Sequence, residues 1–188
     1  MPAWPATRLM IFLVGTGVLA YVSRRSLLRP RTHGFFRFFV FECILALALL
    51  NVPVWFVNPL GWHQLVSWLL LVAGLVPLTM GVRELKHQGR PDSARRLESE
   101  LFEFERTSKL VSSGIFHYIR HPLYASLLML AWGVFFKLPS VVGAVLATAA
   151  TAGVISMSRM DEAECLRVFG AEYRQYMLRT KRYIPRVI

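Results

Sequence analysis

Long apolar runs separated by short polar breaks set the architecture of this chain. Residues 9–22 (extendable back to Trp4), 35–57, 62–82 and 138–157 form four runs of the kind that crosses a bilayer. A helix needs about 20 apolar residues for the ~30 Å hydrocarbon core. A fifth run, 123–136, is shorter, roughly 21 Å as a helix. It spans if Ile115 to Tyr118 extends it or if it forms a tight hairpin with the run that follows. The pattern predicts an all-α integral membrane protein with five transmembrane helices. Asn58-Pro59-Leu60-Gly61 is a turn between the second and third helices, with Trp55 and Trp62 as interfacial anchors. In the last run Gly143, Ala147 and Thr151 recur every four residues, a stripe that lets two helices approach closely in lipid. Helices four and five should therefore form a close antiparallel pair.

Polar residues between the runs refine this picture. Residues 83–109 form a connector in which Pro91-Asp92-Ser93 opens a short surface helix carrying Leu97, Leu101 and Phe104. The organisation is thus one domain: three helices in 1–82, the connector, and a helical hairpin with its C-terminal segment in 110–188. Of the 22 Lys and Arg, all but Arg8 and Lys137 fall in or beside the first loop (Arg24 to Arg37), between Arg83 and Arg120, or after the last run (Arg159 to Arg186). With five spans those regions share one side, so the positive-inside rule puts the N-terminus outside and the C-terminus in the cytoplasm, as in a bacterial inner membrane. Topology and anionic lipid headgroups account for the net charge of +11, so no nucleic-acid partner is implied. Cys43 and Cys165 lie too far apart in the topology to pair. The first run lacks a strong basic leader and a clear cleavage site, and reads as a retained helix.

The candidate chemistry gathers at one end of the hairpin. Arg120-His121-Pro122-Leu123-Tyr124 opens the fourth helix and Asp161-Glu162 follows the fifth run. A tight hairpin brings this cationic cluster and this acidic pair to the same membrane face, a pocket for a ligand carrying both charge signs. Donors on Arg120 or His121 suit a carboxylate. Asp161 or Glu162 suits an ammonium or a diol, and Phe116, Tyr124 and Tyr173 offer an aromatic slot. His117 and His121 have ligand spacing but lack a third partner, so no metal site is expected. Glu42 is the acidic residue inside a predicted span. It is either paired with Arg37 or a polar helix neighbour, or it belongs to a substrate cavity as a base.

The order of these motifs resembles the isoprenylcysteine carboxyl methyltransferase family and its prokaryotic relatives, with phospholipid N-methyltransferases further out. The order is Lys109 to Phe116, Arg120 to Tyr124, an apolar hairpin, Asp161-Glu162, Phe169-Gly170-Ala171-Glu172-Tyr173 and Ile184-Pro185. The resemblance implies a membrane enzyme using S-adenosylmethionine, enclosed by the last helices and the C-terminal segment. By position, Ser108, Lys109, Leu110, Val111 and Phe116 would line its site. His121, Pro122, Leu123 and Tyr124 would hold it, Arg120 would support that cluster, and Asp161 beside Glu162 would be the acidic contact. The family's substrate arginine is replaced by Met157; Arg159 is its candidate substitute, so Arg159 and Glu42 are the catalytic candidates. The expected acceptor is a lipophilic carboxylate of the isoprenylcysteine type, with a phospholipid amine as the alternative. A reductase binding NADPH and a non-catalytic membrane protein are the competing readings.

Overall fold

The computed structural model describes residues 6–28, 33–89 and 109–185. Ser108 and the predicted surface helix lie outside these residues. The elements are α1 (Ala6–Leu27), α2 (His33–Asn51), a 3-10 turn (Val52–Val54), α3 (Trp62–Gln88), a second 3-10 turn (Gly114–His117), α4 (Pro122–Phe135) and α5 (Val141–Arg179). No strand occurs among the described residues, only an isolated parallel bridge between Ile119 and Lys181. α1, α2, α3 and α5 are long and apolar enough to cross a membrane, which makes this a multi-pass membrane protein. α4 is shorter, at 14 residues. The preceding 3-10 turn does not extend it, so α4 is the short arm of the expected hairpin.

Local chemistry fixes where each helix starts and stops. Pro122 opens α4, where its missing N–H costs nothing. Ser140 caps α5, its hydroxyl accepting from the Gly143 N–H at 3.1 Å. α3 continues past the predicted Val82 to Gln88, with Lys86 and His87 in its last turn, where positive charge favours the helix C-terminus. α5 continues much further, to Arg179. Hydropathy ends a span at the first charges, but a helix needs only its backbone bonds and goes on beyond them.

α3 packs broadly on α4 and α2 on α5, and α4 also contacts both α2 and α5. α1 contacts α2 and exposes Leu9, Ile11, Leu13, Val14 and Val18, an apolar surface suited to lipid. The small-residue stripe of α5 faces α4: Gly143 and Ala147 are buried, and Thr151 Oγ1 accepts from Trp132 Nε1 at 3.1 Å. On α3, Gly81 permits a close approach to the start of α4. A Cβ there would stand 2.7 Å from Leu123 Cδ1. One core cluster (Val40, Ile119, Tyr124, Ala125, Val154, Met157, Tyr183) lies at the His121 end. Another (Leu47, Ala131, Val134, Ala147, Ala150) lies toward the α4–α5 turn.

That turn holds a fully buried lysine. Lys137 Nζ sits 3.1 Å from the ring centroid of Trp68 and 5.2 Å from that of Trp55. It donates to Gln64 Oε1 at 3.0 Å, and Gln64 Nε2 donates back to the carbonyl of Lys137 and to that of Val54. Asn51 Nδ2 adds bonds to the carbonyls of Leu47 and Val134. The ends of α2, α3 and α4 are thereby tied at one point. Lys137→Met should lower stability by about 2 kcal/mol, since it forfeits a desolvated cation–π contact and leaves Gln64 Oε1 unpaired. Thermal unfolding in detergent checks this; an unchanged midpoint would show that the cage contributes nothing.

Candidate cofactor site

At the opposite end of the bundle, α3, the segment before α4, the first turn of α4 and the extension of α5 line a cavity of about 120 Å³ that opens to the surface. Its walls are mainly apolar and aromatic: Leu85, Leu110, Val111, Phe116, Leu123 and Phe169, with Tyr124, Tyr173 and Tyr176. The polar groups facing it include Arg120, His121, Asp161 and Cys165. The hairpin has therefore brought the cationic motif and the acidic pair together, as the sequence implied.

The two members of the acidic pair have different surroundings. Glu162 is buried, does not line the cavity, and is saturated by cations. Its Oε1 accepts from Arg120 Nε at 3.1 Å and pairs with Nη2 at 3.0 Å. Arg182 grips both oxygens, Nε to Oε1 at 3.0 Å and Nη2 to Oε2 at 2.6 Å. Burial alone would raise the Glu162 carboxyl, but hydrogen bonds from His121, Arg182 and Arg120 reverse this and hold it well below the usual carboxylate range. Asp161 is more open, faces the cavity, and lies 3.4 Å from His121 Nδ1.

His121 connects the two acids. Its Nε2 lies 3.4 Å from Glu162 Oε1, opposite the Asp161 contact on Nδ1. Its ring stacks on Tyr124 at 5.2 Å between centroids and lies against Tyr183 at 6.3 Å. Arg120 lines the cavity, yet its guanidinium is occupied: besides Glu162 it donates to the carbonyls of Met177 and Thr180. Arg120 thus braces the end of α5, and Asp161 with His121 makes up the charged face toward the cavity.

The C-terminal segment completes this arrangement because α5 bends. Gly170 has φ 55° and ψ −122° inside the helix, a conformation that side-chain-bearing residues rarely adopt. Nothing lies within 4 Å of where its Cβ would be, so backbone geometry alone calls for glycine. The bend turns Tyr173 and Tyr176 onto the cavity, and Tyr176 donates its hydroxyl to the Phe116 carbonyl at 2.7 Å. The chain then runs beside the segment before α4: Arg120 N–H donates to the Lys181 carbonyl and His121 N–H to the Arg182 carbonyl. Tyr183 closes the end with a 2.5 Å hydroxyl contact to Ser158.

Of the residues expected at the site, Leu110, Val111, Phe116, Arg120, His121, Pro122, Leu123, Tyr124, Asp161 and Tyr173 line the cavity. Lys109 is exposed beside it and is not part of the lining. Met157 is fully buried in the core, and Arg159 is exposed and does not line the cavity. Glu42 lies apart, at the α1–α2 contact, where its Oε2 accepts from Thr16 Oγ1 at 2.9 Å. One of its partners is thus a polar helix neighbour. Sequence reasoning did not assign Leu85, Cys165, Phe169, Tyr176 or Arg182. The Tyr173–Tyr176 spacing on one helix face was a usable signal; Arg182 looked like any basic tail residue.

A family model described as phospholipid methyltransferase matches residues 62–172, from the start of α3 past Asp161 and the Gly170 bend. The chain belongs to the phospholipid methyltransferase family. No curated protein and no solved structure matches it. Family membership makes this chain a membrane methyltransferase. The match covers the cavity's lining up to Phe169 and ends just before Tyr173 and the C-terminal segment.

The charge on His121 gives the site of this methyltransferase a pH dependence. Burial disfavours the imidazolium, but hydrogen bonds and charge from Asp161 and Glu162 outweigh it, so the pKa is raised. Arg120 and Arg182 face the same carboxylates, and Tyr124 and Tyr183 flank the ring. A raised folded-state pKa stabilises fully below the unfolded value of about 6.5 and is lost as pH climbs through the folded value. The unfolding midpoint of the wild type should therefore fall relative to that of His121→Gln as pH rises above about 6.5. Parallel midpoints across that range would show that His121 carries no charge.

Proposed function

We propose that this chain transfers the methyl group of S-adenosylmethionine to a lipid acceptor, with the cofactor held in the cavity between α3, α4 and the α5 extension. The observation that carries this reading is the pairing of Asp161 and His121 on one wall of a mainly apolar and aromatic cavity, inside the family match. The fit is chemical. S-adenosylmethionine is a zwitterion with a sulfonium and a flat adenine, and its bound form supplies an electrophilic methyl group. Asp161 accepts from its ammonium or ribose hydroxyls, and His121 sets the orientation of Asp161. Phe116, Tyr124 and Tyr173 form the adenine slot, and burial holds the Tyr173 hydroxyl protonated as a donor. Leu110, Val111, Pro122 and Leu123 exclude water from the reacting centre. The protein's contribution is alignment of acceptor and donor, since in-line displacement needs little else.

The acceptor we favour is an amine headgroup of a membrane phospholipid. A carboxylate acceptor needs a cation to hold it. Among the described residues facing the cavity the basic ones are Arg120 and His121, both engaged with Glu162, which leaves none for a carboxylate besides the cofactor's own; Met157 is packed into the core. An amine would first pass its proton to water or to a carboxylate, but it requires no such cation. The basic end of the bundle is read as cytoplasmic, from the Lys and Arg that flank the spans there.

Two measurements test this. Membranes containing the protein are incubated with S-adenosylmethionine labelled in the methyl group, and lipid and protein fractions are separated. Label in amine phospholipids supports the reading; label in a prenylated-cysteine carboxyl ester moves the acceptor to the carboxylate class, and NADPH binding in place of S-adenosylmethionine overturns the cofactor. Asp161→Asn should weaken cofactor binding about tenfold, the order expected for one charge-assisted contact. Glu42→Gln should keep turnover within about twofold, a change well under 1 kcal/mol, because Glu42 lies at the α1–α2 contact; loss of turnover with folding intact would make it the base.

A further inference from the structure

Arg182 lies beyond the family match and does not line the cavity, yet it holds His121 in two ways. Its backbone carbonyl accepts from the His121 N–H at 3.0 Å. Its side chain grips Glu162 with two bonds, one to each oxygen, and Glu162 Oε1 faces His121 Nε2. The geometry is specific. Glu162 Oε1 is shared among Arg120, Arg182 and His121, whereas Arg182 Nη2 holds Oε2 at 2.6 Å. Arg182 therefore sets the rotation of the carboxylate plane, and that rotation places Oε1 against the imidazole. A two-pronged guanidinium fixes such a plane, which a point charge does not.

We propose that Arg182 is a positioning residue of the cofactor site: through Glu162 it orients His121, and His121 orients the cavity-facing Asp161. This rests on the cofactor reading given above. The line runs from the C-terminal segment to Glu162, across the imidazole to Asp161, and each step is a direct contact of 3.4 Å or less. Arg120 cannot substitute, because its guanidinium is spread over Glu162, the Met177 carbonyl and Thr180. The alternative role for Arg182 is to pin the tail, but the backbone already does that through Lys181, whose carbonyl accepts from Arg120 N–H and whose N–H reaches the Tyr118 carbonyl.

The two roles separate by experiment on the full chain in detergent or nanodiscs. S-adenosylmethionine affinity and the unfolding midpoint without cofactor are measured for wild type, Arg182→Gln, Asp161→Asn and the double variant. Positioning predicts that Arg182→Gln weakens binding about tenfold, and that the double variant binds little worse than Asp161→Asn alone, because both changes act on one contact. Arg182→Lys keeps the charge without the fork and should recover folding fully but binding only in part. It also serves if Arg182→Gln does not fold. Binding by Arg182→Gln within about twofold of wild type, or losses that simply multiply in the double variant, would overturn the positioning role. A wild-type protein that binds no S-adenosylmethionine would instead overturn the cofactor reading beneath it.

Discussion

A carboxylate out of contact with water keeps its charge only when cations and donors replace its hydration. Glu162 meets that condition with Arg120, His121 and Arg182, and the order of the basic end follows from it. The partners come from two parts of the chain: Arg120 and His121 stand at the mouth of α4 and Arg182 on the segment after α5. Removing any one would leave buried charge uncompensated, so the three are coupled and their effects should not add. The cavity wall inherits this rigidity. Asp161 faces the interior beside a histidine that cannot rotate without disturbing the cluster behind it.

This arrangement divides the acidic pair by role. One carboxylate is turned inward and spent on the frame, while its neighbour, one residue earlier on the same helix, is left facing the cavity. Consecutive positions on a helix point about 100° apart, so a doublet is a natural way to make one residue structural and the next available. The bend at Gly170 adds the third wall by folding the helix end back over the opening.

Much of this was legible in the residues. Spans are readable because a bilayer forces apolar runs of set length, and the α4–α5 pairing followed from the small residues on α5. The meeting of His121 with Asp161 followed from that pairing. Three features were not legible. The reach of α5 beyond Ser158 was hidden because hydropathy reports the membrane boundary and not the helix end. The Gly170 bend was hidden because a glycine between Phe169 and Ala171 reads as part of a motif until its dihedral angles are known. The place of Arg182 was hidden because a salt bridge across twenty residues leaves no periodicity in the sequence. The division of labour between Asp161 and Glu162 depends on that same pair and became visible only with it.

α5 also works as a depth gauge. Its cap at Ser140 sits by the turn that holds the caged Lys137, and Asp161 lies 21 residues further along the same helix. At 1.5 Å per residue that is about 31 Å, close to the thickness of the hydrocarbon core. Asp161 thus stands about one hydrocarbon thickness from that cap, and the separation is fixed by counting residues. Inserting or deleting a single residue in this stretch would both raise or lower the acid and swing it off the cavity wall. Only whole turns would preserve its bearing, and these would move it by more than 5 Å along the helix axis. The distance between the caged lysine and the cavity is thus written in the length of one helix.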